Sequence, residues 1–124
     1  MFRKYIGIML SLLALLQCIG CTEPVSTVQY NAMDIALYSF DAPSSVVKLK
    51  EDDLEYLLSL WNSAQWEDSV TKTSYDYTFE FDTTMRYSSD YGVFNDIENQ
   101  RHFFVSEDVR NEINMLIKST LNEE

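Results

Sequence analysis

The chain has 124 residues, with nine basic against twenty acidic side chains and a net charge of −11 at pH 7. That charge excludes a nucleic-acid binder, which needs a basic stripe to meet phosphate, and it opposes lying flat on anionic lipid. Aromatic residues make up 14% of the chain, and three glycines and two prolines are few, so the composition is globular rather than disordered.

The first twenty residues read as an address rather than as part of the fold. Arg3 and Lys4 give a positive start, and Ile6 to Ile19 are apolar apart from such breaks as Ser11 and Gln17. Gly20 and Cys21 follow, and the composition then turns polar. A charged start, a short apolar run and a small residue before a cut form a secretory signal. The run is shorter than the roughly 20 apolar residues of a spanning helix.

The segment Cys18-Ile19-Gly20-Cys21 resembles the lipobox of bacterial lipoproteins. The resemblance covers residues 1 to 22. It implies that Cys21 receives a diacylglyceryl group, that residues 1–20 are then removed, and that the new N-terminus is acylated. The protein would then be held by lipid to a membrane of the bacterial envelope, with its domain outside the cytoplasm. Cys18 stands where the family carries leucine. Cys18 is itself the poorer lipid acceptor, because Gln17 places a bulky amide where a small residue belongs. An uncleaved anchor and an ordinary signal peptide are the alternatives.

Removal of twenty residues leaves 104, enough for one domain over 27–124 after a lipidated tether at 21–26. Arg3 and Lys4 leave with the signal, so seven basic residues face twenty acids and the charge becomes −13. Solubility and self-repulsion near a charged surface account for such a charge; the sharper reading is attraction to a basic partner. With Cys18 removed and Cys21 lipidated, no thiol remains for a disulfide, a zinc site or a nucleophile.

Residues 28–49 predict a hairpin. Val28, Tyr30 and Ala32 alternate, Ile35 and Leu37 take the opposite phase, and the shift near Met33-Asp34 suggests a bulge. Asp41-Ala42-Pro43-Ser44 has turn composition, and Val47 and Leu49 suggest the returning strand. Asp52 to about Ala64 predicts a helix, with Leu54, Leu57, Leu58 and Trp61 on one stripe and Asp52 paired with Glu55 as a capping box. The Glu51-Asp52-Asp53 run complements the helix dipole better than it makes a metal site. Trp66 is expected to fold back on the same core.

Tyr75, Tyr77, Phe79 and Phe81 alternate with polar residues, which predicts a half-buried antiparallel strand with its aromatics on the core. Asp82-Thr83-Thr84 then makes a tight connection that pairs Phe81 with Met85, Phe79 with Tyr87 and Tyr75 with Tyr91. Unbroken alternation from 85 to 93 favours one long strand over a turn at Ser88–Gly92. Asn95 to Gln100 reads as a polar loop and Arg101 to Val105 as the closing strand. Ser106 caps a last helix with Val109, Ile113, Leu116 and Ile117 on its apolar stripe. The order is ββαβββα, an α+β fold with two helices packed on one face of an antiparallel sheet. Leu57, Trp61, Tyr77, Phe79, Ile113 and Leu116 are the expected core.

None of the familiar catalytic motifs is present. His102 stands alone on a short strand, where an edge or surface role is expected. Asp90, Asn95, Asp96 and Glu98 are calcium-ligand types without the D-x-[DN]-x-[DN]-G loop, and a polar turn is the preferred reading. No metal and no cofactor are expected. If the odd positions face the helices, Phe103 turns inward while His102 and Phe104 turn outward, near Arg86, Phe94 and the gap at Gly92. Arg86, Phe94, His102 and Phe104 form the candidate binding patch. In the competing arrangement the 28–49 hairpin covers this face or Phe104 points inward. The expected class is a lipid-anchored extracytoplasmic binding or accessory domain, not an enzyme, recognising an envelope protein or a cell-wall component. The alternative is a small hydrolase or metal-dependent enzyme assembled only in three dimensions, which a deep pocket with convergent polar groups would favour.

Overall fold

A computed structural model describes residues 28–122. The expected signal, Cys21 and the tether lie outside the described residues. No helix among those described is long and apolar enough to cross a membrane.

The elements run β1 (Ala36–Ser39), β2 (Ala42–Lys48), α1 (Glu51–Ser63), β3 (Tyr77–Glu80), β4 (Thr84–Ser88), β5 (Val93–Asp96), β6 (Arg101–Phe104) and α2 (Glu107–Leu121). The strands form one antiparallel sheet in the order β2-β1-β3-β4-β5-β6, and the fold is α+β. Leu37, Phe79, Met85, Tyr87, Phe94 and Phe103 share one face of the sheet by their cross-strand pairing. They are buried in one core with Leu54, Leu57 and Trp61 of α1 and Ile113 and Ile117 of α2. Both helices therefore cover the same face, each through an apolar stripe at helical spacing. Of the expected core, Tyr77 and Leu116 are only partly buried at its margin.

The start of the domain differs from the expected hairpin. Residues 28–35 form no strand; the hairpin is confined to β1 and β2, its turn is Phe40-Asp41, and its irregularity falls between Leu37 and Ser39. Helix α1 begins at Glu51 behind Lys50, which makes no side-chain cap, so the Asp52 capping box does not form. Glu51, Asp52 and Asp53 fill the first turn, where acids face the positive end of the dipole. Trp66 does fold back: its indole N–H donates to the Trp61 carbonyl at 2.9 Å and its ring meets Phe103 at 4.5 Å. Ser106 caps α2 by accepting the Val109 N–H at 3.3 Å. The helices are tied by the Tyr56 hydroxyl, which donates to Glu112 at 2.9 Å. Burial first, and then that carboxylate, push Tyr56 up to about 12.

The β3–β4 register is Phe79 with Met85 and Tyr77 with Tyr87, two residues from the expected pairing. A two-residue slip keeps every side chain on its face, so the hydrophobic pattern is equally satisfied by both registers. The segment read as one strand from 85 to 93 is broken. β4 ends at Ser88, a turn follows, and β5 starts at Val93, so four strands lie between the helices. Gly92 makes the turn at φ 65°, donating to the Ser88 carbonyl and accepting from Val105 N–H, each at 2.8 Å. Helix α2 holds the turn through Arg110, which donates to the Ser89 and Asp90 carbonyls at 3.3 and 3.0 Å.

A Cβ at Gly92 would lie 2.8 Å from Cδ of Arg110. Gly92→Ala is expected to cost about 1–2 kcal/mol from the left-handed backbone alone, and more once Arg110 is displaced. The check is a lowered urea midpoint at unchanged slope.

Candidate functional site

The sheet face away from the helices carries Thr78, Arg86, Asn95 and His102 as successive cross-strand partners, with Tyr38 beside Thr78. The connection from α1 to β3 crosses this face. Glu67 exchanges backbone hydrogen bonds with His102 at 2.8 and 3.0 Å, and His102 Nδ1 donates to the Ser69 carbonyl. Thr71 N–H donates to Asn95 Oδ1 at 2.7 Å, and Asn95 Nδ2 donates to the Thr71 hydroxyl at 2.9 Å. Tyr75 then reaches Arg86, whose guanidinium sits 4.6 Å from the ring centroid. The face is thus covered by residues 67–75 rather than by the β1–β2 hairpin.

The expected patch is split: Asn95, bound by Thr71 of this crossing, stands between Arg86 and His102. The rings of His102 and Phe104 are perpendicular at 5.7 Å. Phe103 turns into the core, and Phe104 turns out with 57% of its surface exposed. Phe94 is corrected: it is fully buried against Tyr87 and Phe103. The turn before β5 resets the phase, so Phe94 pairs with Tyr87 on the inner face.

Arg86 belongs instead to a cleft of about 220 Å³ lined by Tyr38, Phe40, Pro43, Tyr75, Thr78 and Thr84. Phe40 and Tyr75 meet edge to face at 5.2 Å. Tyr75 is also corrected from its expected place in the core. The ladder begins only at Tyr77, so the two-residue period does not carry back to it. Asp76 fixes the chain there by accepting the Ser89 N–H at 2.9 Å and the Ser89 hydroxyl. Glu80 sits beside the cleft and takes the hydroxyl protons of Tyr38 at 3.1 Å and Thr84 at 3.0 Å. Burial and then the Glu80 carboxylate raise the Tyr38 hydroxyl above its ordinary range. Arg86 has no ion pair and no hydrogen-bonded partner through its guanidinium among the described residues. Sequence reading singled out Arg86 but missed Tyr38, Phe40 and Tyr75, which come from two separate segments.

A second polar constellation is internal. Asp96 is fully buried and accepts from the Tyr30 hydroxyl, from Thr83 at 2.6 Å, and from Asn99 N and Nδ2 at 3.2 and 2.8 Å. Arg101 donates to the Tyr30 oxygen at 2.7 Å, lies 3.9 Å from the Asp96 carboxylate, and sits 4.4 Å over the Trp66 ring. Burial alone would raise the Asp96 carboxyl; hydrogen bonds from Thr83, Tyr30 and Asn99 outweigh it and hold Asp96 below the usual carboxylate range. Burial, then the Asp96 bond, push the Tyr30 hydroxyl well above its ordinary value. Asn62 completes this anchorage, accepting the Tyr30 N–H at 2.7 Å and donating to its carbonyl at 2.8 Å. The adjoining cavity, about 330 Å³ beside Trp61, Asn62, Trp66, Asp68 and Arg101, borders a guanidinium already committed to Tyr30 and Asp96.

The calcium-ligand residue types are not brought together. Asp96 is in the internal network, Asn95 is on the outer face, Asp90 is in the β4–β5 turn, and Glu98 is in the β5–β6 turn. Among the described residues no three His, Cys, Asp or Glu side chains converge as metal ligands. No protein-family model, curated protein or solved structure matches this chain.

Proposed function

We propose that this chain is a lipid-anchored extracytoplasmic binding domain that holds a component of the bacterial envelope in the Tyr38–Phe40–Tyr75–Arg86 cleft. The observation that carries the reading is Arg86. In a chain with twenty acids, this cation has no ion pair among the described residues and is laid on an aromatic ring. Stacking of that kind contributes about 0.5–1 kcal/mol at an exposed site and orients the guanidinium while leaving its N–H groups available. Small concave sites with aromatic walls and a few placed polar groups are the usual form of a ligand pocket. The lipobox-like segment supplies the anchor.

Two measurements test this. Detergent-phase partitioning is expected to retain the mature wild-type protein and to show Cys21→Ala either released or unprocessed; normal processing and retention of that variant would sink the anchor. Cosedimentation with purified envelope is expected to fall sharply for Tyr75→Ser while its melting temperature holds. Equal sedimentation of the two proteins would remove the cleft from the function.

A further inference from the structure

We infer that the ligand of the outer-face cleft is a sugar ring carrying a carboxylate. The inference rests on the binding reading above and names the chemical class that the site selects. It starts from the hydrogen-bonding state of the walls. Glu80 accepts the hydroxyl protons of Tyr38 and Thr84. The Tyr38 oxygen is met by the Thr78 side chain, and the Thr84 oxygen is left as an acceptor for a donor arriving in the cleft. Arg86 supplies the opposite character, a planar fork of N–H donors with no acceptor engaged among the described residues. A fork of that shape meets a carboxylate through two parallel hydrogen bonds. A ligand that answers both brings a hydroxyl donor and an anionic acceptor on one small body.

The aromatic walls define that body. Phe40 and Tyr75 stand edge to face at 74°, forming an angled wall beside Tyr38. The electron-rich ring faces take the C–H faces of a pyranose, leaving its equatorial hydroxyls to the polar rim. A volume of about 220 Å³ is below the roughly 300–1,000 Å³ of drug-sized pockets and suits one ring rather than a chain. Charge agrees: in so acidic a domain an anion is repelled from most of the surface, and Arg86, with no ion pair among the described residues, gives it a place to settle. A neutral sugar would leave Arg86 unanswered, and a basic ligand would be opposed by it.

The test uses the full-length protein in detergent and saturation-transfer NMR with methyl β-glucuronide, methyl β-glucoside and a capped proline-rich peptide as separate probes. The glucuronide is expected to receive saturation at its ring protons and to bind at least tenfold more tightly than the glucoside. Arg86→Gln should remove that preference, and Tyr75→Ser should weaken both sugars, with melting temperatures held in each case. Equal binding of the two sugars, transfer unaffected by Arg86→Gln, or tighter binding of the peptide would each overturn the sugar-acid assignment. If no sugar binds while Tyr75→Ser still abolishes envelope sedimentation, the cleft keeps its function and the ligand class falls. If both fail, both readings fall.

Discussion

Trp61→Ala is expected to lower stability by about 3–5 kcal/mol, the range for truncating a large aromatic in a packed core. Trp61 is fully buried at the centre of an aromatic assembly. It stacks on Phe81 at 5.3 Å and 2°, and meets Phe79, Phe94 and Tyr30 edge to face at 5.8, 5.5 and 6.0 Å. Those partners come from the end of β3, from β5 and from the leading segment, so one truncation opens a void between α1, the sheet and the leading segment. Against a typical stability of about 5–15 kcal/mol, the loss leaves a small domain partly unfolded at ambient temperature. Trp61→Phe should cost much less. The Trp61 indole N–H is buried without a partner among the described residues, and leaving such a group buried costs about 1–3 kcal/mol that phenylalanine avoids. Urea melts of the two variants decide the matter; equal midpoints would contradict the packing described.

Asp96→Ala is expected to be comparably damaging, about 3–5 kcal/mol, because it strips the buried Arg101 of its carboxylate and leaves Thr83 and Asn99 donors unmet. The same residue gives the stability a pH dependence of fixed sign. Its carboxyl is held below the ordinary value in the folded state, so the unfolded chain binds the proton more readily. The contribution is fully present above the unfolded value of about 4 and is lost as the pH falls through the lower folded value. Melts of wild type and Asp96→Asn should therefore converge as the pH drops from about 5 toward 2. A gap that stays constant over that range would show that Asp96 is not the group responsible.

Much of this architecture can be read from periodicity, and the failures have a common cause. Leu54, Leu57 and Trp61 repeat at helical spacing and do face the core; Phe103 and Phe104 alternate and do part company. Those residues lie within regular elements, where face follows directly from position. Tyr91 defeated the same logic. It continues the alternation of Met85 and Tyr87, yet it sits in a turn and is 61% exposed, and the Gly92 conformation behind it is a backbone property that alternation does not encode. Tyr75 failed because it lies just ahead of its ladder. The β3–β4 register was unreadable because pairings two residues apart bury the same side chains. The cleft was unreadable for a different reason: Tyr38 and Phe40 meet Tyr75 only through the placement of β1 beside β3, a long-range pairing with no local signature. The internal Asp96–Arg101–Tyr30 network likewise joins residues from distant parts of the chain.

The two borders of the sheet are not equivalent. Along β2 every residue is exposed, and no strand among the described residues occupies its outer side, although Pro43 and Lys48 are residues that discourage pairing there. Along β6, Glu67 takes both backbone groups that His102 turns outward, and the chain leaves for α2 soon after Phe104. Among the described residues, β2 is therefore the border left open to strand addition. Two copies joined border to border through β2 would consume the open side of each and present nothing to a third. Fibrous growth by strand addition needs two open borders per molecule, and the described residues leave one.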